Sequence, residues 1–345
     1  MKQYLFLIIQ LFLFFGFVVP VQAAPIPTLD SPAKYRPRAL SKNSVPVDNG
    51  LARVVTLGNR GNISNIKART QSGRTSTSRK AVQLGAINRR ITSKTVMILD
   101  ADSGETIFAK APDTPRQPAS TIKVLTGMIA MKSLKNNEMV GVTRHASRMP
   151  RSKIYLDTKK RYKADDLINA VLLASANDAS VALAEKIAGS ERNFARMMTL
   201  RARLWGAKKT ICRTANGLTA KGQQSTARDL AQIFRHAMQD KEFARRMKRT
   251  KIKTSYGTTL RSHNKALWRV KGAIGGKTGY TNAARQTYVG KFERGEDSIV
   301  VAIMGSETMW TDVKRLVDYG FKKKEKMKLA KLAQANTASQ RNQVY

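Results

Sequence analysis

The order of local patterns along this chain predicts an α+β fold, with an antiparallel sheet assembled from both ends of one domain and a block of helices between the two strand groups. Three observations carry this expectation. A hairpin pattern lies at residues 96–111, helical periodicity fills much of 120–239, and strand patterns return at 259–305 ahead of a terminal helix. No internal repeat is evident.

Met1 and Lys2 precede the apolar run YLFLIIQLFLFFGFVV, and Pro20 with Val21-Gln22-Ala23 supplies the small residues of a peptidase site. Residues 1–23 therefore read as a secretory signal peptide cleaved after about Ala23, which sends the protein to the periplasm or cell envelope. The apolar run also approaches the length that spans a bilayer, so an uncleaved anchor is the competing reading. No Cys follows the run to accept a lipid. Residues 24–91 are rich in Pro, Ser, Thr, Asn, Gly and Arg, as in YRPRALSKN and TQSGRTSTSRK, and lack a sustained apolar period. Such a segment buries too little apolar surface to offset its ordering entropy, and a disordered basic arm is expected.

Order is expected from Thr92. In VMILD (96–100), ADSG (101–104) and ETIFAKA (105–111), two apolar strands flank turn residues. After PDTPRQPA a helix begins at Ser120, with Ile122, Leu125, Met128 and Ile129 on one side. Asp165 and Asp166 open a second helical stretch that runs through Leu173 and is interrupted at Ser175 to Asp178. It resumes with Val181, Leu183, Ala184 and Ile187 and ends at Gly189. Helices follow at 191–205 and, with Ser225 or Thr226 as N-cap, at 226–239. TLRSHNKALW (259–268), RQTYVGKFE (285–293) and SIVVAIMG (298–305) read as strands, the last two joined by the turn RGED. WTDVKRLVDYGF (310–321) reads as the closing helix. Residues 322–345 read as a basic, solvated tail whose apolar face, at Met327, Leu329 and Leu332, is too thin for a firm membrane anchor.

Composition narrows the chemistry. The 63 Lys and Arg against 23 Asp and Glu give a net charge of +40. A charge of this size raises the question of nucleic acid, but export places the chain among lipid headgroups, lipopolysaccharide and cell-wall polymers instead. Anionic envelope polymers or lipid headgroups are therefore the partners expected for the basic arm and tail, and nucleic acid is not favoured. A solvated basic surface with no specific partner is the alternative. Cys212 is the single cysteine, which leaves no internal disulfide and suits a buried small side chain. With only His145, His236 and His263 besides, soft metal ligands are scarce, and neither a zinc site nor a Cys-His nucleophile is expected.

Against that background one spacing stands out. Ser120 and Lys123 in PASTIK are three apart, which puts both on one helix face. A serine hydroxyl needs a nearby base, and a lysine serves once burial or a second cation lowers its pKa. Spacing alone does not choose this pair, since Ser31 with Lys34 and Ser64 with Lys67 share it. Those two pairs lie in the arm, without the fixed surroundings that a catalytic pair needs. Ser175-Ala176-Asn177 sits at the helical interruption, where polar side chains can point into a cleft. Ser41-Lys42-Asn43 and Ser262-His263-Asn264 match the same S-x-N pattern without that setting. Lys277-Thr278-Gly279 is the only K-T-G, and its glycines suit a strand edge along which a ligand lies. S-x-x-K, S-x-N and K-T-G in that order form the signature of penicillin-interacting serine enzymes.

The chain resembles the D-Ala-D-Ala carboxypeptidase family of low-molecular-mass penicillin-binding proteins. The resemblance rests on RQPASTIKVLT (116–126), LLASANDASVALAEKIAG (172–189), ANGL (215–218), STARDLA (225–231), GGKTGYTNAA (275–284) and LVDYGF (316–321). It implies the penicillin-binding-protein and serine β-lactamase type of fold, an antiparallel sheet flanked by helices with an all-helical subdomain, in a D,D-peptidase domain at residues 92–321. It also implies a serine D,D-carboxypeptidase that removes the terminal D-alanine of peptidoglycan stem pentapeptides through an acyl-enzyme on Ser120. β-Lactams would inhibit it covalently, and no cofactor would be needed. In that scheme Lys123 accepts the Ser120 proton, and Ser175 and Lys277 relay a proton to the departing D-alanine. Lys277 also keeps Lys123 neutral by repulsion, and Asn177 holds the substrate's peptide. The backbone N–H groups of Ser120 and Tyr280 form the oxyanion hole, while Thr278, beside Gly279, binds the terminal carboxylate.

Two positions depart from the family pattern. Met309 falls where many members carry an Arg that helps bind the terminal carboxylate, and Arg285 falls where they carry Gly after K-T-G. Arg285 is either the replacement cation or a surface residue on a strand. D,D-endopeptidase cleavage of cross-links by the same residues is therefore the alternative reaction. Residues 322–345 are also too few for the small β-domain that many carboxypeptidase members carry and endopeptidase members lack. A β-lactamase shares the fold and the S-x-x-K, but the segments above resemble the peptidases. A non-catalytic, cationic envelope-binding protein with a vestigial cleft is the reading of another class, and the intact motif side chains count against it.

Overall fold

The computed structural model describes residues 87–342. The expected signal peptide, most of the expected basic arm, both S-x-x-K pairs in that arm and Ser41-Lys42-Asn43 lie outside the described residues. Strands β1 (Thr95–Asp100) and β2 (Thr106–Lys110) form the hairpin expected from VMILD and ETIFAKA. Two short ribbons follow, β3 (Met139–Gly141) with β4 (Arg161–Lys163), and β5 (Lys251–Lys253) with β6 (Thr259–Arg261). The chain then returns to the hairpin's sheet through β7 (Ala273–Thr281), β8 (Arg285–Arg294) and β9 (Asp297–Ser306). The five strands run in the order β2-β1-β9-β8-β7, all antiparallel, so the sheet joins the two ends of the domain and leaves β7 at an edge.

Period-two alternation divides the sheet's side chains between two cores. Met97 and Leu99 of β1, with Val300, Ala302 and Met304 of β9, face the helical block. Val96 and Ile98, with Ile299, Val301 and Ile303, face the other way. Both faces are covered, which is why SIVVAIMG is an unbroken apolar run. Helix α1 (Lys123–Ser133) is the centre of the helical block and packs against α2 (Ala164–Leu172), α3 (Asn177–Ala188) and α4 (Glu191–Leu204). Every residue of α1 from Lys123 to Ala130 is buried, so the one-sided pattern seen in the sequence understates its enclosure. Helix α5 (Ala227–Ala237) covers one face of the sheet, with Thr226 as its N-cap, and α6 (Lys241–Met247) follows it. Gly189, at φ 71, ends α3 where expected. Helix α7 (Met309–Asn342) closes the other face through Val313, Leu316 and Val317.

Three boundaries differ from the sequence reading. Ile87 and Ile91 are already buried in the core beneath α7, so order starts ahead of Thr92. The strand expected over 259–268 stops at Arg261. Ser262 Oγ accepts from Asn264 N and Asn264 Oδ1 from Ala266 N, each at 3.2 Å, and this side-chain competition turns the chain into a helical turn at Ala266–Arg269. The closing helix runs past Phe321 to Asn342. No Gly or Pro interrupts 321–342, and Lys324, Lys328 and Lys331 tie it to Asp100, Asp297 and Glu105.

Candidate active site

Ser120 sits in a 3-10 turn, Ala119–Ile122, that leads directly into α1 and rests on β7 and β8. The turn is fixed from several sides. The Thr121 and Thr287 hydroxyls both donate to Pro118 O, at 2.6 and 3.0 Å. Gly279 of β7 lies so close that a Cβ there would stand 2.8 Å from Ser120 N and 2.5 Å from Thr287 Oγ1. Gly217, at φ 82, lies closer still, since its Cβ would meet Ala119 O at 2.1 Å. Only glycine fits either place. Ala119 and Ser175, at φ 50 and 58, occupy the left-handed region that non-glycine residues seldom adopt. Ser175 itself, and Ser120 through its neighbour Ala119, are thus placed by strained backbone.

Lys123, in the first turn of α1, is 0% exposed. Its Nζ lies 2.9 Å from Ser120 Oγ, 2.7 Å from Asn177 Oδ1 and 2.6 Å from Asn216 O. Burial holds its pKa well below the usual lysine range, and the positive charge of Lys277 adds to the effect against weaker opposing pulls from Asp178 and Glu191. A neutral amine has two N–H bonds and one lone pair. Asn177 Oδ1 and Asn216 O can only accept, so they take the two N–H bonds and leave the lone pair to the Ser120 hydroxyl.

Lys277, 2% exposed, projects from β7 toward the helical interruption. Its Nζ donates to Ser175 Oγ at 2.8 Å and to Thr278 O at 3.0 Å. Burial lowers its pKa to about 7. Ser175, Asn177, Lys123 and Lys277 form one buried polar group with Ser120 at its mouth, and the two lysines reach it from a helix and a sheet edge far apart in sequence. Asn177 is a tether as well as a partner of Lys123. Its Nδ2 donates to Pro150 O at 2.9 Å and Arg151 O at 3.2 Å, and its own N donates to Ser152 O.

A family model for D-alanyl-D-alanine carboxypeptidases matches residues 80–308. The chain is 35% identical over 240 residues to the D-alanyl-D-alanine carboxypeptidase DacB2 of Mycobacterium tuberculosis, covering 66% of this chain and 82% of that protein. The chain belongs to the D-alanyl-D-alanine carboxypeptidase family. Over 251 residues it is 29% identical to DacF of Bacillus subtilis, covering 68% of this chain but spanning only 63% of that protein. The ampicillin-bound structure of penicillin-binding protein D2 from Listeria monocytogenes superposes with a TM-score of 0.62 at 25% identity, covering 67% of this chain and 98% of that one. The fold is that of the penicillin-binding proteins, and the family is one of serine peptidases.

The remaining family positions spread outward from the buried group. Thr278 is half-buried, Gly279 buried and Tyr280 56% exposed, with its hydroxyl donating to Asn282 Oδ1. Arg285 pairs with Thr281 across the hairpin from β7 to β8, and its exposed side chain forms no ion pair with a carboxylate among the described residues. Met309, the first residue of α7, packs into the core between that helix and the sheet and carries no charge to the cleft. The third S-x-N match, Ser262-His263-Asn264, lies at the end of β6, where Asn264 is buried and receives the Tyr288 hydroxyl. Cys212 is buried, and that burial pushes its thiol up to about 12. Sequence reasoning gave no role to Asn216 or to the strap at 148–157. ANGL was visible only as a segment, because Asn216 acts through a backbone carbonyl that no side-chain motif can announce.

Proposed function

We propose that this chain is an exported serine D,D-carboxypeptidase that removes the terminal D-alanine from peptidoglycan stem peptides through an acyl-enzyme on Ser120. The observation that carries this reading is the buried Lys123 Nζ 2.9 Å from Ser120 Oγ, with its pKa held well below the ordinary lysine value by burial and by Lys277. Lys123 takes the hydroxyl proton as Oγ attacks the carbonyl between two D-alanines, a role worth about 100 to 10,000-fold in rate. Ser175, hydrogen-bonded to Lys277, stands where the leaving amine needs a proton. The amides of Ser120 and Tyr280 stabilise the oxyanion, and Gly279 keeps β7 close enough to the turn for both to act on one atom. Thr278 and Arg285 receive the terminal carboxylate. Water then releases the shortened peptide.

Fluorescent penicillin tests the nucleophile. The wild type becomes covalently labelled, Ser120→Ala does not, and label persisting on Ser120→Ala overturns the assignment. One observation favours a second reaction: with Met309 in the core, the only family-position cation left for the terminal carboxylate is the exposed Arg285. D,D-endopeptidase cleavage of cross-links is therefore the competing outcome. Mass spectrometry of purified muropeptides separates the two, since loss of one D-alanine from pentapeptides marks the first and splitting of dimers the second.

Export rests on the apolar run and the Val-x-Ala site, and the envelope on the net charge of +40. In this reading the basic arm and the cationic end of α7 tether the enzyme to anionic polymers or lipid headgroups. Deleting residues 24–86 then weakens envelope association, and added salt weakens association of the full chain in the same way.

A further inference from the structure

The strap at 148–157 is tied to Asn177 and Asp178 through its backbone. Asn177 holds the Pro150, Arg151 and Ser152 carbonyls, and the next residue, Asp178, accepts from Ile154 N at 3.1 to 3.2 Å and Leu156 N at 3.1 Å. Asp157 N donates to the Tyr162 hydroxyl at its far end. Met149, Ile154 and Leu156 turn inward against the helical core, which leaves the outward side chains around Tyr155 cationic. The Arg151 guanidinium stands 5.8 Å and the Lys153 ammonium 5.3 Å from the centre of the Tyr155 ring, which is itself 60% exposed. Lys153 also donates to Ser147 O at 3.0 Å. Among the described residues no carboxylate pairs with either cation.

Two cations gathered on one aromatic ring repel each other, and the ring's negative face offsets only part of that cost. An anion placed beside both cations would relieve that repulsion. The strap's position says which one. The Arg151 carbonyl is joined through Asn177 to Lys123, so the strap borders the cleft on the side of Asn177, while β7 with Lys277 supplies a wall at the sheet edge. An extended peptide that adds to the β7 edge carries the residues before its scissile carbonyl between those two walls.

We propose that Arg151 and Lys153 form a carboxylate-recognition site for the acyl side of the peptide, so that the enzyme prefers substrates with a free side-chain carboxylate just before the D-Ala-D-Ala unit. The proposal rests on the carboxypeptidase reading above. It also separates two carboxylates, the terminal one facing Thr278 and Arg285 and an internal one facing the strap.

The test uses the full chain and two acetylated peptides, X-D-Ala-D-Ala with X either L-glutamate or its uncharged isostere L-glutamine. The two are compared by their affinity for Ser120→Ala and by turnover on the wild type. The glutamate peptide is expected to bind about fivefold more tightly, the upper range for a solvent-exposed ion pair, with the preference shrinking as salt rises. The double variant Arg151→Gln and Lys153→Gln, in either background, is expected to erase the preference while leaving the glutamine peptide and the rate of penicillin acylation unchanged. Equal affinity for the two peptides overturns the proposal. So does a double variant that weakens both peptides alike or slows acylation, because the strap would then act only by supporting Asn177. Turnover of neither peptide by the wild type would instead count against the carboxypeptidase reading, and the affinity comparison on Ser120→Ala still decides the strap.

Discussion

Three lysines among the described residues are withdrawn from water, two in the cleft and one on the closing helix, and they titrate in opposite directions. Lys123 and Lys277 are 0% and 2% exposed and burial lowers both. Lys324 is 6% exposed, and burial alone would lower it too, but Asp100 at 2.8 Å and Asp297 at 3.2 Å outweigh that and hold its pKa above the ordinary lysine value. Burial is common to all three, so it does not decide the charge. What decides it is whether a carboxylate comes along. The cleft gives its lysines only neutral hydrogen-bond partners, hydroxyls, an amide oxygen and backbone carbonyls, and sets Lys277 where its charge lowers Lys123 further. The helix supplies two acids and gains an anchor. A base is therefore made by withholding a counter-ion, and a fastening by providing one.

The largest effect that sharpens this contrast comes from removing each cation. Lys123→Ala should slow acylation by fluorescent penicillin about 1,000-fold, within the range for losing a positioned base, whereas Lys324→Ala should leave that rate within about twofold. Next, Asn177→Asp places a carboxylate where Asn177 Oδ1 now lies, 2.7 Å from Lys123 Nζ. This gives the cleft what the helix has. The Lys123 pKa should rise by about one to three units, acylation at neutral pH should fall in proportion, and raising the pH should restore it. A loss that pH does not rescue would mean that Asn177 matters through the strap rather than through charge. Lys277→Gln acts in the same direction more gently. Removing a positive neighbour raises the Lys123 pKa, so the acidic limb of the acylation profile should move about one unit toward higher pH.

The same contrast explains what the sequence made legible. The short apolar runs VMILD and SIVVAIMG placed the sheet, and the interruption between Leu172 and Val181 placed Ser175 and Asn177, because both are local signals that packing reinforces. The ordered S-x-x-K, S-x-N and K-T-G patterns brought together five side chains that the fold gathers from 120, 123, 175, 177 and 277. Less was legible where backbone does the work. Asn216 binds Lys123 through its carbonyl, and the strap reaches Asn177 through three carbonyls, so side-chain identity at those places carries no signal. Strand 259–268 was misread past Arg261 because the Ser262 and Asn264 side chains capture the backbone amides of Asn264 and Ala266. The length of α7 was underestimated because a run of lysines reads as a solvated tail, until Asp100, Asp297 and Glu105, distant in sequence, are seen to meet it.

The smallest of these effects is on stability and concerns that helix. Lys324→Met should cost about 1 to 3 kcal/mol, less than the loss of a partner from a fully buried pair, because Asp100 and Asp297 keep 15% and 23% of their side-chain surface and regain water. Its pH dependence has a fixed sign. The raised Lys324 pKa means its contribution is fully present below the ordinary value of 10.5 and is lost as pH climbs through the folded value. The lowered pKa values of Asp100 and Asp297 mean theirs is present above 3.8 and lost as pH falls through the folded values. Urea unfolding of wild type and variant should therefore differ by a constant amount between about pH 5 and 9, and the difference should close below that window as the acids protonate. A gap that stayed open at pH 2 would assign the loss to the packing of the lysine stem against the sheet. The helix would then be fastened by its apolar contacts, and the distinction between the two kinds of lysine would rest on the cleft alone.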